Sequence, residues 1–243
     1  MTKIFGHRGA AGHFPENTML SFQAAYECGA DGIELDVHKS KDGELVVIHD
    51  EKINRTTNGK GYVKDHTYDE LKSFNAAVKW PEYSFQVIPR LEDVLEWIAK
   101  KPLYLNIELK NNVLFYRDIE EKLVRLLRKH KLTEQIILSS FNHDSMLKIA
   151  RTNPEYEVAL LLSDKMHRPW EYANRLNVNA IHPKWYHVNK RYLQRSRQYN
   201  VTVRPYTVNR TNMMKQLILN GCDALITDLP DKAVKLRDEL LLH

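Results

Sequence analysis

The sequence predicts an α/β fold, a (β/α) barrel that is irregular near its second and third strands and carries a small insertion at about residues 50–90. Short β-type runs alternate with helical patterns along the chain, which is the signature of a sheet assembled from βα units. The 243 residues match the roughly 250 typical of one α/β barrel, and 43% of them are apolar, enough for a large core. The alternation breaks at one place only, residues 50–90, so a single domain spanning 1–243 with one insertion is expected.

The elements follow in order. Ile4–His7 reads as the first strand, and Thr18–Glu27 as a helix that stops at Cys28-Gly29. Gly32–Val37 and Leu45–His49 are the next strands, joined only by His38 to Glu44 with Asp42-Gly43 as a hairpin turn. Parallel neighbours need a crossover of about a dozen residues or more, so this pair is expected to be antiparallel. His49 should then lie close to Asp36, since both sit six or seven residues from the turn. Within 50–90, Thr56 to Gly61 is turn-rich, Tyr68–Phe74 suggests a short helix, and Trp80-Pro81 and Ile88-Pro89 are breakers. Strands resume at Leu103–Leu109, Gln135–Phe141, Glu157–Leu162, Ala180–His182, Val201–Tyr206 and Ala224–Thr227. Helical patterns fall at Phe115–His130, Asn212–Leu219 and Asp231–Leu242; the first carries Ile119, Leu123, Leu126 and Leu127 on one face. Nine candidate strands exceed a closed eight-stranded barrel by one, and the hairpin accounts for the surplus.

Composition narrows the function. A net charge of +5 and a pI near 9.0 suit an anionic small-molecule substrate. Lys and Arg are spread along the chain without a basic tract, and no aromatic-plus-basic recognition module appears, so no nucleic-acid partner is expected. Cys28 and Cys222 form neither a CxxC site nor a disulfide framework; free thiols fit a reducing compartment. The chain opens directly into a strand with no leader pattern, and no apolar run approaches the ~18 residues of a membrane span. We therefore expect a cytoplasmic protein without stable membrane insertion. Nothing in the sequence specifies an oligomeric state.

Strand parity locates the chemistry. Residues two apart in a strand share a face. In Gly32–Val37 the even positions are Glu34 and Asp36, and the odd ones are aliphatic. In Leu103–Lys110 the even set is Tyr104, Asn106, Glu108 and Lys110, and the odd set is again aliphatic. If the aliphatic faces pack on outer helices, three carboxylates and one lysine point into the barrel. That excess of negative charge calls for a hard divalent cation with oxygen ligands, Mg2+ or Ca2+. His7 and His49 end two of the strands, and barrel active sites lie at the carboxyl ends of strands. Two imidazoles can serve as base and acid in one displacement, and Arg8 offers a planar donor fork for phosphate oxygens. The histidines at 13, 66, 130 and 243 are read as structural; His38 and His182 are left open. Asn17 is read as either a helix N-cap or a group reaching the metal or a phosphate.

The run from Gly6 to Thr18 (GHRGAAGHFPENT), the run from Gly29 to Val37 (GADGIELDV) and the run from Asp42 to Asp50 (DGELVVIHD) resemble the glycerophosphodiester phosphodiesterase family. Matches continue in order at Ile88–Leu95, Asn106–Lys110, Ser139–Phe141, Tyr206–Asn209 and Ile226–Pro230. The resemblance spans nearly the whole chain. It implies a TIM-barrel-like fold with a small insertion and one divalent cation held by Glu34, Asp36 and Glu108. It further implies His7 and His49 as the acid/base pair, and Arg8 and Lys110 on the phosphate. In such enzymes a glycerol hydroxyl of the substrate attacks phosphorus, and water then opens the cyclic phosphate to glycerol 3-phosphate. Two positions depart from the family pattern. Tyr206 stands where tryptophan is common, keeping an aromatic wall of the substrate site but adding a hydroxyl, and Arg90 replaces a threonine. Two rival functions share this ground: a lysophospholipase D or phospholipase-C-like enzyme on the same barrel, and a non-catalytic phosphoester-binding protein.

Overall fold

Eight parallel strands surround a filled interior in a computed structural model that describes residues 1–242; His243 lies outside the described residues. The strands are β1 (Lys3–His7), β2 (Gly32–Lys39), β3 (Leu45–Val47), β4 (Tyr104–Leu109), β5 (Ile136–Ser140), β6 (Glu157–Leu162), β7 (Ala180–Pro183), β8 (Thr202–Val203) and β9 (Ala224–Thr227). The helices are α1 (Met19–Glu27), α2 (Tyr68–Leu71), α3 (Leu91–Ile98), α4 (Ile119–Lys129), α5 (His143–Thr152), α6 (Pro169–Arg175), α7 (Lys190–Gln198), α8 (Thr211–Leu219) and α9 (Pro230–Leu241). Strand order is β8-β7-β6-β5-β4-β2-β1-β9. The remaining strand, β3, lies antiparallel on the end of β2, with Val37 opposite Val47, as the short connection requires.

Two backbone bonds draw the ring together between β8 and β9: Ile226 N–H donates to Pro205 O at 3.0 Å and Val208 N–H to Ile226 O at 2.9 Å. Only Thr202 and Val203 of the expected Val201–Tyr206 run form regular strand, because Pro205 has no N–H to give the ladder. Arg204 and Tyr206 still donate to Ile181 and Pro183 of β7, so the direction of the run is kept. Helix α4 starts at Ile119, later than Phe115, because Asp118 adopts a left-handed backbone that a helix cannot include. Helices α3, α5, α6 and α7 add to those the sequence marked.

Parity divides the core as expected. Outward residues such as Ile4, Leu35, Leu105, Ile107, Leu138 and Leu225 pack with Phe22, Leu95, Leu123 and Leu217 of the helices. Inward ones (Phe5, Ile137, Ala159, Leu161, Ala180, Ala224 and Ile226) fill the barrel beneath Tyr206. The insertion has a small core of its own, in which Ile53, Val63, Leu71 and Ile88 cover Val46 and Ile48 at the end of the hairpin. It stands on the end of the barrel where β1, β2 and β4 finish.

Candidate active site

The register of the ladder brings the acidic residues together. His7 of β1 is paired with Glu34 of β2, and Asp36 with Glu108 of β4. One carboxylate oxygen from each of Glu34, Asp36 and Glu108 lies within 4.8 Å of the others, and all three residues are buried. Lys110 Nζ donates to Glu108 Oε1 at 2.7 Å and stands 3.6 Å from Asp36 Oδ1. Arg8 Nε is 3.4 Å from Asp36 Oδ2, a second cation in the cluster. Three carboxylates thus face two cations. Burial and the charges of Asp36 and Glu108 push the Glu34 carboxyl well above its ordinary value. Burial and Asp36 raise Glu108 as well, against the pull of Lys110. Burial alone would raise Asp36, but Arg8, Lys110, His49 and the Asn17 amide outweigh it and hold that carboxyl low. Glu34 Oε1 and the neighbouring Asn106 Oδ1 are buried oxygens without a hydrogen-bond donor. A buried anion left this way costs several kcal/mol, so an oxygen-seeking cation fits this donor set.

Both histidines are held from behind. His7 Nδ1 lies 2.6 Å from Asp228 Oδ1, and Nε2 turns toward Glu34 Oε2 at 3.9 Å. Asn209 Nδ2 donates to Asp228 Oδ2 at 2.5 Å, and Asn209 Oδ1 accepts the Asp228 N–H at 3.0 Å. His49 Nδ1 lies 2.6 Å from Asp50 Oδ1, and its Nε2 is 3.2 Å from Lys110 Nζ. Arg55 grips Asp50 through Nε at 2.6 Å and Glu16 through two nitrogens at 2.7 Å each. The His49 hydrogen bond and Arg55 hold Asp50 low; burial would raise Asp228, but its bond to His7 prevails. A carboxylate at Nδ1 fixes the ring and leaves Nε2 to exchange protons. The hairpin sets this geometry: Ile48 N–H donates to Asp36 O at 3.1 Å, which places His49 beside Asp36.

Other candidates have definite places. Arg8 has a left-handed backbone; its N–H donates to Glu34 Oε2 at 2.9 Å and its Nη1 to Glu16 at 2.7 Å. Gly9 follows because a Cβ there would meet the Ser21 backbone at 2.6 Å with φ +85°. Asn17 does not cap α1; Thr18 does, accepting from Ser21 N–H at 3.2 Å. The Asn17 amide donates instead to Asp36 Oδ2 at 2.9 Å. The Tyr206 hydroxyl donates to Leu162 O at 3.2 Å, and its ring meets Phe141 edge-on. His38 bridges Tyr116 Oη and the carbonyl of His49, a supporting contact for that residue. His182 is buried beside Arg204, away from the cluster. His13, His66 and His130 lie outside it too, the first 56% exposed and the others bonded to Lys60 O and Glu92. Sequence reasoning missed Asp228, Asp50, Glu16, Arg55 and Asn209. The parity that found Glu34 also marks Asp228, two residues beyond the inward Ile226, and Asp50 adjoins His49 in the chain.

The model of the glycerophosphoryl diester phosphodiesterase family matches residues 7–232. The chain belongs to this family. As a member it is a phosphodiesterase, a hydrolase on a TIM barrel. It is 50% identical to the uncharacterized protein YqiK of Bacillus subtilis, over 96% of this chain and 97% of that one. It is 43% identical to a glycerophosphodiester phosphodiesterase of Bacillus altitudinis, over 99% and 100%. A phosphodiesterase of Oleispira antarctica, solved in complex with the product sn-glycerol-3-phosphate, superimposes with a TM-score of 0.88 at 28% identity, over 98% of this chain and 97% of that one.

Proposed function

We propose that this phosphodiesterase hydrolyses glycerophosphodiesters to glycerol 3-phosphate and an alcohol, with a divalent cation, Mg2+ or Ca2+, and with His7 and His49 as acid and base. One observation carries the reading: two imidazoles, each backed by a carboxylate at Nδ1, border one buried acidic cluster with an unpaired oxygen. The substrate class follows the names and the bound product of the relatives.

Glu34, Asp36 and Glu108 would hold the cation, which when bound supplies positive charge against the phosphoryl oxygens. Arg8 and Lys110 add their own charge on the same side and orient the phosphate. One imidazole takes the proton of the attacking glycerol hydroxyl through Nε2 as the new P–O bond forms. The other gives its proton to the departing alkoxide as the old bond breaks. Water then opens the cyclic phosphate, with the two proton transfers reversed. Asp228 and Asp50 keep each neutral ring in the tautomer with its lone pair at Nε2, the atom that in His49 faces Lys110 Nζ at 3.2 Å. Tyr206 walls the site with its ring, since its hydroxyl is engaged by Leu162. The free thiols Cys28 and Cys222 support a cytoplasmic setting.

The test is release of glycerol 3-phosphate from a panel of glycerophosphodiesters at neutral pH with Mg2+ or Ca2+. Release from at least one is expected; none from any of them would overturn the reading. Lysophosphatidylcholine belongs beside the panel, scored by choline release because its other product keeps the acyl chain; Tyr62 and Phe85 of the insertion are exposed, as a lysophospholipase D would require.

A further inference from the structure

We propose that the rim of the barrel mouth is a docking surface for an anionic lipid bilayer. The first support is charge. At this end of the barrel Lys165, Arg168, Lys184, Lys190, Arg191 and Arg195 stand against two carboxylates of the same segment, Asp164 and Glu171, although the whole chain nets only +5. No linear run of cations marks this segment; the fold gathers it on the loops after β6 and β7 and on α6 and α7. Among the described residues Lys165, Lys190 and Arg191 are exposed and have no carboxylate partner, while Glu171 is taken by Arg168. A cleft of about 640 Å³ between these elements is lined by Lys165, His167, Arg168, Trp170, Arg191 and Arg195. Its cations and aromatic wall suit a lipid phosphate.

The second support is apolar. Phe115 is 87% exposed and Val113 67%, both on the loop after β4, and Tyr186 is 58% exposed after β7. Val78, Phe85 and Val87 of the insertion are exposed on the same end. Cations alone would be explained as steering for a small anionic substrate. Steering gives no reason to hold Phe115 and Val113 in water. A bilayer uses both, with phosphates meeting the cations and apolar side chains entering the headgroup boundary. Such docking is peripheral and reversible, in keeping with a chain in which no described helix is long and apolar enough to cross a membrane. It turns the mouth toward the lipid surface.

Vesicle co-sedimentation scores this without turnover, and so separately from the catalytic reading. The full chain is expected to sediment with phosphatidylcholine vesicles containing about 30 mol % phosphatidylglycerol, to be released by salt, and to ignore pure phosphatidylcholine. The triple change Lys165→Glu, Lys190→Glu and Arg191→Glu should weaken partitioning by about 100-fold or more. The pair Val113→Ser and Phe115→Ser should weaken it while leaving its salt dependence. None of these residues is in the catalytic machinery, so thermal midpoint and hydrolysis of soluble diesters should stay those of the unaltered protein. Equal binding to both vesicle types, or undiminished binding by the triple variant, would overturn the proposal. So would preference for an oligonucleotide over the anionic vesicles, which would reassign the surface to nucleic acid.

Discussion

Glu34 is the residue whose surroundings suit it least. It is 3% exposed, one of its oxygens is bonded to the Arg8 N–H, and the other is bonded to nothing. A side chain placed there for stability alone would be neutral or fully paired. In chelator, therefore, Glu34→Gln should stabilise the fold by about 1–2 kcal/mol, since it removes a poorly compensated buried acid. With excess cation the order should invert, and urea unfolding under both conditions reads the difference. A Glu34→Gln protein less stable than the parent in chelator would show that the carboxylate is satisfied by the protein itself. The histidines make the complementary prediction. His7→Ala and His49→Ala should each abolish turnover with the circular dichroism spectrum unchanged. Asp228→Asn should lower kcat by about 10²–10⁴ with little change in KM, because it loosens the tautomer and orientation of His7 but leaves the metal ligands in place. A D228N enzyme of full kcat would remove Asp228 from the mechanism.

At the scale of elements, two short pieces of backbone do most of the positioning. The hairpin of β2 and β3 returns the chain to Asp36 and so delivers His49; the Asp42-Gly43 turn and the parity of β2 made this legible in the sequence. The loop between β1 and α1 delivers Arg8, Glu16 and Asn17, and it was legible only as a motif. No periodicity marks its two non-glycine left-handed residues, Arg8 and Asn17. Thr18 anchors this loop, capping α1 and donating to Pro15 O at 2.7 Å while fully buried. Thr18→Ala should cost about 1–2 kcal/mol in urea unfolding. The helices that periodicity missed have physical reasons too. In α7 only Leu193 and Ser196 are buried, and α6 buries little more than Pro169 and Ala173. Their outer faces carry the basic surface, so hydrophobic spacing had little to detect.

Across the whole molecule, the barrel, the surplus strand and the insertion could all be read from alternation and connection lengths. The pairing of His7 with Asp228 could not, because the two are distant in sequence and meet only when β9 closes on β1. Stability should also depend on pH through His182. Burial, with Arg204 beside it, lowers its pKa well below the ordinary 6.5. The unfolded imidazole takes up a proton below that value while the folded one does not, so this contribution is intact above about pH 6.5 and is lost as the pH falls. The slope from one such group approaches about 1.4 kcal/mol per pH unit. His182→Asn should flatten the fall in urea midpoint between about pH 6.5 and 5; an unchanged slope would mean that His182 is protonated in the fold.

The central claim is that the cluster of Glu34, Asp36 and Glu108 holds a divalent cation required by the two histidines. It is tested most directly by stripping the protein with chelator, verifying metal content by elemental analysis, and measuring glycerol 3-phosphate release before and after titration with Mg2+ or Ca2+. The account predicts that turnover is lost on stripping and returns with one equivalent of bound cation, and that neither Glu34→Gln nor Glu108→Gln recovers it. Undiminished turnover by the metal-free protein would contradict it.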